Sequence, residues 1–200
     1  MIMSERKIVS IAPTFACQKA CEGCYLTTGV TKEMRSLEFS TEQWKTIIGT
    51  FAEEGYTDLA ISWNRMNLDY AINEIVPLIK TARLWSKMRV NITTDVENDV
   101  IGVLNELPLR SISEITFSCD DIHGYESIRH FNDLLKTKQR ELLELKDTRV
   151  VVRDYINVNL LWTRGVFDWL FSDPVGFKRD IAEMLTHVDR IQHLMLKPLS

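Results

Sequence analysis

The chain has 200 residues, 45% of them hydrophobic and 26% charged, and carries a net charge of −4. These are the proportions of an ordinary globular protein with enough chain for one substantial core. A mildly acidic chain is not built to attract phosphate backbones, no apolar run reaches the length of a membrane span, and the polar start Met1–Lys7 lacks the apolar centre of a secretory signal; a cytoplasmic protein without a membrane or nucleic-acid partner is expected.

Taken in order, Lys7–Ala12 predicts a first strand, closed by Pro13. A cysteine-bearing loop follows. Ser40 with Gln43 three residues on forms a capping box, and Trp44, Ile47, Ile48 and Phe51 give the helix its apolar face before Gly55 ends it. Thr57–Trp63 predicts the second strand. Residues 69–86 predict a helix kinked or broken at Pro77. Met88–Thr93 predicts the third strand, after which Asp95 is placed to cap a short helix ending near Leu107-Pro108.

Ser113–Ser118 predicts the fourth strand and residues 124–145 a long amphipathic helix bearing Ile128, Phe131, Leu134 and Leu135. Val150–Leu161 holds the fifth strand, best placed at Ile156–Leu161. Residues 167–187 read as helix interrupted at Asp173-Pro174, and Arg190–Leu196 as the sixth strand. Six β-then-α units predict a parallel sheet with crossover helices. A closed eight-unit barrel usually needs ~250 residues, so the expected fold class is α/β, an open partial (β/α)6 barrel of parallel strands with the cysteine loop after the first. No repeat or linker marks a second domain, so residues 1–200 read as one core domain without a further cluster-bearing extension.

Cys17, Cys21 and Cys24 stand in the spacing C-x3-C-x2-C, followed by Tyr25. The tight grouping, in a chain of only four cysteines, favours metal binding or redox chemistry over a disulfide scaffold. Three thiolates can hold three irons of a cubane cluster and leave the fourth open. The same spacing also fits a buried stripe on a helix, which Pro13, Gly23, Lys19 and Glu22 oppose. A zinc site would need Cys119 or a distant histidine as its fourth ligand. Cys119 itself reads as a small buried strand residue, and the four histidines show no ligand spacing.

The motif and its place after a first strand resemble the signature of the radical S-adenosylmethionine (SAM) superfamily. The resemblance implies that Cys17, Cys21 and Cys24 hold a [4Fe-4S] cluster whose open iron is chelated by the amine and carboxylate of SAM. It implies reductive cleavage of SAM to methionine and a 5′-deoxyadenosyl radical, which abstracts hydrogen from a substrate. A low-potential electron donor, flavodoxin or ferredoxin, is implied too.

Tyr25 would lie near the adenine. The second strand ends Ser62-Trp63-Asn64-Arg65, where the family often has Gly-Gly-Glu, so Ser62, Asn64 and the backbone there are the candidates to meet the amino group. Phe117-Ser118-Cys119-Asp120 is similar to the family's Ser-x-Asp strand end, and Ile122 to Arg129 to the loop before its Ile-Arg pair. Ser118 and Asp120 would bind a ribose or amino-acid group, unless Asp120 or Asp121 caps the next helix. Asn157 and Asn159 share one strand face and point either into a ligand cavity or to solvent. Arg153 and Lys197 could meet the SAM carboxylate or lie at the surface.

The substrate class stays open between a peptide or protein and a small metabolite. An open barrel with little of its own to close it predicts a large substrate or a partner subunit that completes the site. The alternative is a non-catalytic iron–sulfur or zinc protein, an electron carrier, sensor or scaffold on the same fold.

Overall fold

The structure is a computed structural model that describes residues 6–18, 32–95, 98–107, 111–119, 126–131, 133, 137, 155–162, 164–187 and 190–196. Its centre is one sheet of six strands in sequence order, β1 (Ile8–Ile11), β2 (Asp58–Trp63), β3 (Arg89–Asp95), β4 (Glu114–Cys119), β5 (Tyr155–Trp162) and β6 (Arg190–Leu196). Every neighbouring pair is parallel. Consecutive parallel strands need crossovers, and crossovers of one hand in unbroken order bring the helices to one face of the sheet.

The register shows which residues share that face. Leu59, Ile61 and Trp63 lie beside Val90, Ile92 and Thr94, then Ile115, Phe117 and Cys119, then Ile156 and Val158. All of these are buried, and all but Thr94 belong to one apolar core together with the helix residues Ile48, Ile75, Leu78 and Ile79. The opposite face carries Ser10, Ala60, Ser62, Asn91, Thr93, Asp95, Glu114, Thr116, Ser118, Asn157 and Asn159. Parallel strands covered on both faces by apolar layers read as continuous hydrophobic runs. These strands alternate instead, so one face packs on helices and the other presents polar groups.

The helices include α1 (Lys32–Arg35), α2 (Thr41–Glu53), α3 (residues 68–85), α4 (Val100–Asn105), α5 (residues 126–131), α6 (Arg164–Ser172) and α7 (Pro174–His187). The capping box of α2 forms as expected: Gln43 N–H donates to Ser40 Oγ at 3.3 Å, and Ser40 N–H donates to Gln43 Oε1 at 2.8 Å. Beyond its end Gly55 takes φ +84°, a left-handed conformation in which a side chain would be strained.

Three expectations need correction. Residues 68–85 do not break at Pro77. The helix runs through four consecutive segments, with wide turns at Ala71–Ile75 and Thr81–Trp85, where Val76 N–H donates to Ala71 O and Ser86 N–H to Thr81 O. Pro77 opens the Val76–Lys80 segment, so its missing N–H and ring clash are absorbed by the wide turn before it. Asp95 does not cap the following helix: the ladder to β4 extends β3 through the pair Asp95–Ser118, and Asp99 caps α4 by accepting from Gly102 N–H at 2.7 Å. Helix α6 begins at Arg164, ahead of the expected start at Phe167, although the interruption at Asp173-Pro174 stands.

Candidate functional site

The carboxyl ends of the strands are where parallel β/α sheets bind ligands, and the cysteine loop leaves β1 at that edge. Its first residues have no regular structure, so side chains from elsewhere must satisfy their backbone. Trp44 Nε1 donates to Pro13 O at 3.3 Å. Asn64 Nδ2 donates to Thr14 O at 2.9 Å and to Ala16 O at 3.3 Å. Glu38 Oε1 accepts from Phe15 N–H at 2.5 Å, and both its carboxylate oxygens lie 3.0 Å from Thr14 Oγ1. Thr14 Oγ1 in turn accepts from Ala16 N–H at 2.9 Å, and Gln18 N–H donates to Arg65 O at 2.8 Å. The arm bearing Cys17 is thus held from α2, from the turn before it and from the end of β2.

A second tier holds the end of β2. Asn98, only 7% exposed, donates from Nδ2 to Asn64 O at 3.1 Å and to Thr94 Oγ1 at 2.7 Å, while its Oδ1 accepts from Met66 N–H at 3.2 Å. All three polar valences of the buried amide that face these neighbours are used. Burial first, then the charges of Glu74 and Glu38, push the Tyr70 phenol up to about 12 against an opposing pull from Thr14, so it stays protonated at neutral pH. Glu74 in turn accepts a hydrogen bond from Thr41 at the start of α2.

On the polar face two rows of register partners run from strand to strand. One joins Ser62, Thr93, Thr116 and Asn157; the next joins Asp95, Ser118 and Asn159. Asn157 is fully buried and donates to Glu114 Oε1 at 2.6 Å, so its amide is engaged one step down the sheet. Asn159 differs. It is half-buried, and among the described residues its buried Oδ1 has no hydrogen-bond donor.

Of the residues singled out from the sequence, Cys17 is half-buried in the loop just described. Cys21, Cys24, Tyr25, Asp120, Arg153 and Lys197 lie outside the described residues. Ser62 is exposed, and Ser118 half-buried, on the polar face. Asn64 is present at the site, but its amide N–H groups hold the loop and its carbonyl is taken by Asn98. Cys119 is fully buried on the apolar face beside Phe117, so serving as a fourth thiolate would require it to leave the core. Glu38, Asn98 and Thr14 are absent from the residues predicted for the site. Glu38 reaches the loop across 23 and 24 positions, and Asn98 reaches the end of β2 across 32 and 34, which no local pattern reports. Thr93 and Asp95 were legible in principle, through the period-two alternation of β3.

The class defined here is an all-parallel α/β sheet, wound in sequence order, with a cysteine loop at its carboxyl edge and a polar face beside it. No family model and no curated protein match the chain. In fold it is similar to the crystal structure of Streptococcus suis SuiB, with a TM-score of 0.59 and 13% identity over 98% of this chain and 43% of that one. It is also similar to Streptococcus suis SuiB bound to precursor peptide SuiA, with a TM-score of 0.55 and 15% identity over 88% and 37%. The chain therefore spans about two fifths of SuiB, and at such identity the likeness is one of fold.

Proposed function

We propose that residues 1–200 form a radical SAM core domain: an open partial barrel whose polar face turns inward and whose cysteine loop holds a [4Fe-4S] cluster. The observation that carries this reading is the position of Cys17, the first cysteine of the C-x3-C-x2-C motif, beyond the carboxyl end of β1 in a six-stranded parallel sheet, on an arm pinned to the end of β2. The donor set suits the group. Three thiolates in eight residues leave one iron without a protein ligand, and the nearest other thiol is committed to the core.

Cys17, Cys21 and Cys24 would ligate the cluster. The half-buried polar row Asp95, Ser118 and Asn159 offers a carboxylate, a hydroxyl and an amide oxygen without a donor among the described residues, which suit the amine and ribose hydroxyls of SAM. When bound, the pair supplies one-electron cleavage of the sulfonium and a 5′-deoxyadenosyl radical that abstracts hydrogen. The chain's own residues orient the cofactor and shield it from other hydrogen donors. The reduced state requires a low-potential donor such as flavodoxin or ferredoxin. A peptide is the favoured substrate class, supported by the fold likeness to a protein crystallised with a precursor peptide.

The test is anaerobic reconstitution with iron and sulfide, reduction, and assay of 5′-deoxyadenosine from SAM. We expect formation by the wild type and none by Cys21→Ala. A reduced cluster whose electron paramagnetic resonance signal ignores SAM would instead identify an electron carrier or sensor. A protein that takes up no iron would overturn both.

A further inference from the structure

We infer that Glu38 is a positioning residue for the cysteine loop, organising residues 14–16 before any metal is bound. The inference rests on the reading of that loop as the cluster arm, but its geometry is independent of iron. An irregular loop that converges three thiolates on one centre must be ordered against its own entropy and against the mutual repulsion of the thiolates. A scaffold that orders the arm beforehand removes part of that cost.

Glu38 meets this need from a position 23 and 24 residues away. It takes the Phe15 N–H on Oε1 and the Thr14 hydroxyl within 3.0 Å of both oxygens. Donation by that hydroxyl leaves its lone pairs to accept the Ala16 N–H at 2.9 Å, so three successive residues hang on one carboxylate. The chain from Ala16 N–H through Thr14 O–H to the anion polarises in one sense, which strengthens each link. Asn64 grips the carbonyls of Thr14 and Ala16, supplying the donors that Glu38 cannot. Glutamate suits the place because the Phe15 N–H and the Thr14 hydroxyl both donate to it. A glutamine would keep an oxygen for Phe15 but turn an amide N–H toward Thr14.

Amide hydrogen exchange on the full chain without added iron tests this. In Glu38→Ala, the amides of Phe15 and Ala16 should exchange about tenfold faster or more, from the loss of charge-assisted bonds, while those of Leu59–Trp63 in β2 hold their wild-type rates. Glu38→Gln, which keeps an acceptor for Phe15 N–H, should restore part of the protection, more at Phe15 than at Ala16. After reconstitution, Glu38→Ala should show less iron per chain and a broadened paramagnetic signal, again partly recovered by the glutamine variant. Unchanged protection of residues 15 and 16 in Glu38→Ala would overturn the inference, as would acceleration spread equally over β2, which marks general destabilisation. Failure of the wild type to cleave SAM would count against the proposed function and leave the exchange result to decide this point.

Discussion

Asp58 is wholly buried at the amino end of β2, where it accepts from Arg6 Nε at 3.0 Å, Arg89 Nη2 at 3.0 Å and Thr57 Oγ1 at 2.7 Å. Burial alone would raise its carboxyl. The bonds from Thr57, Arg6 and Arg89, with the charge of Arg6, outweigh burial and hold it below the ordinary 3.8. A depressed carboxyl stabilises the fold above its unfolded value and loses that contribution as pH falls through the folded one. We therefore predict that Asp58→Asn costs about 1–3 kcal/mol at pH 7, measured by urea unfolding, and that the gap to wild type narrows below about pH 4. A gap independent of pH would refute the ionic account. Both arginines are about half exposed and can return to water, which keeps the cost below that of stranding a buried charge.

Among elements, α2 and β3 show opposite degrees of legibility. The α2 start is written locally, since Ser40 and Gln43 satisfy each other's backbone within four residues. Ser40→Ala should cost about 1 kcal/mol, read as a lowered unfolding midpoint. A midpoint at the wild-type value would mean that packing of Trp44 and Ile48, rather than the cap, sets this end. The β3 end could not be read the same way. From the sequence, Asp95 is placed to cap the next helix. Pairing with Ser118 draws Asp95 into the ladder, and Asp99 is left to cap. The wide turns of α3 have a similar origin: the sequence marks Pro77 as a disturbance, while packing of Ala71, Ile75, Leu78 and Ile79 into the core keeps the helix whole.

For the whole molecule, the polar face of the sheet makes a testable contrast between Asn157 and Asn159. Asn157 is bonded to Glu114 in a buried setting, so Asn157→Leu should destabilise by about 1–3 kcal/mol by breaking that bond. Asn159 Oδ1 lacks a donor among the described residues, so Asn159→Leu should change stability by less than about 1 kcal/mol. Under the proposed function it should nevertheless lower SAM-dependent 5′-deoxyadenosine formation by about tenfold. Equal losses of stability in the two variants would show that the polar face is structural throughout. Full activity in Asn159→Leu would remove Asn159 from the cofactor site.

The alternation of β-branched runs with helical patterns, the turn residues and the three clustered cysteines are properties of neighbours along the chain. From them came six parallel strands at nearly their observed bounds, and the loop on which the chemistry would rest. Which residues hold that loop could not come from the same source. Glu38, Asn64 and Asn98 act through bonds to residues dozens of positions away, and a polar side chain in a local pattern looks the same whether it meets solvent, a ligand or a distant backbone. Only the folded chain brings donor to acceptor. The sequence by itself determined the order of the strands and the cysteine spacing. The tertiary structure decided which polar groups are spent on holding the loop and which, like Asn159 Oδ1, have no donor among the described residues.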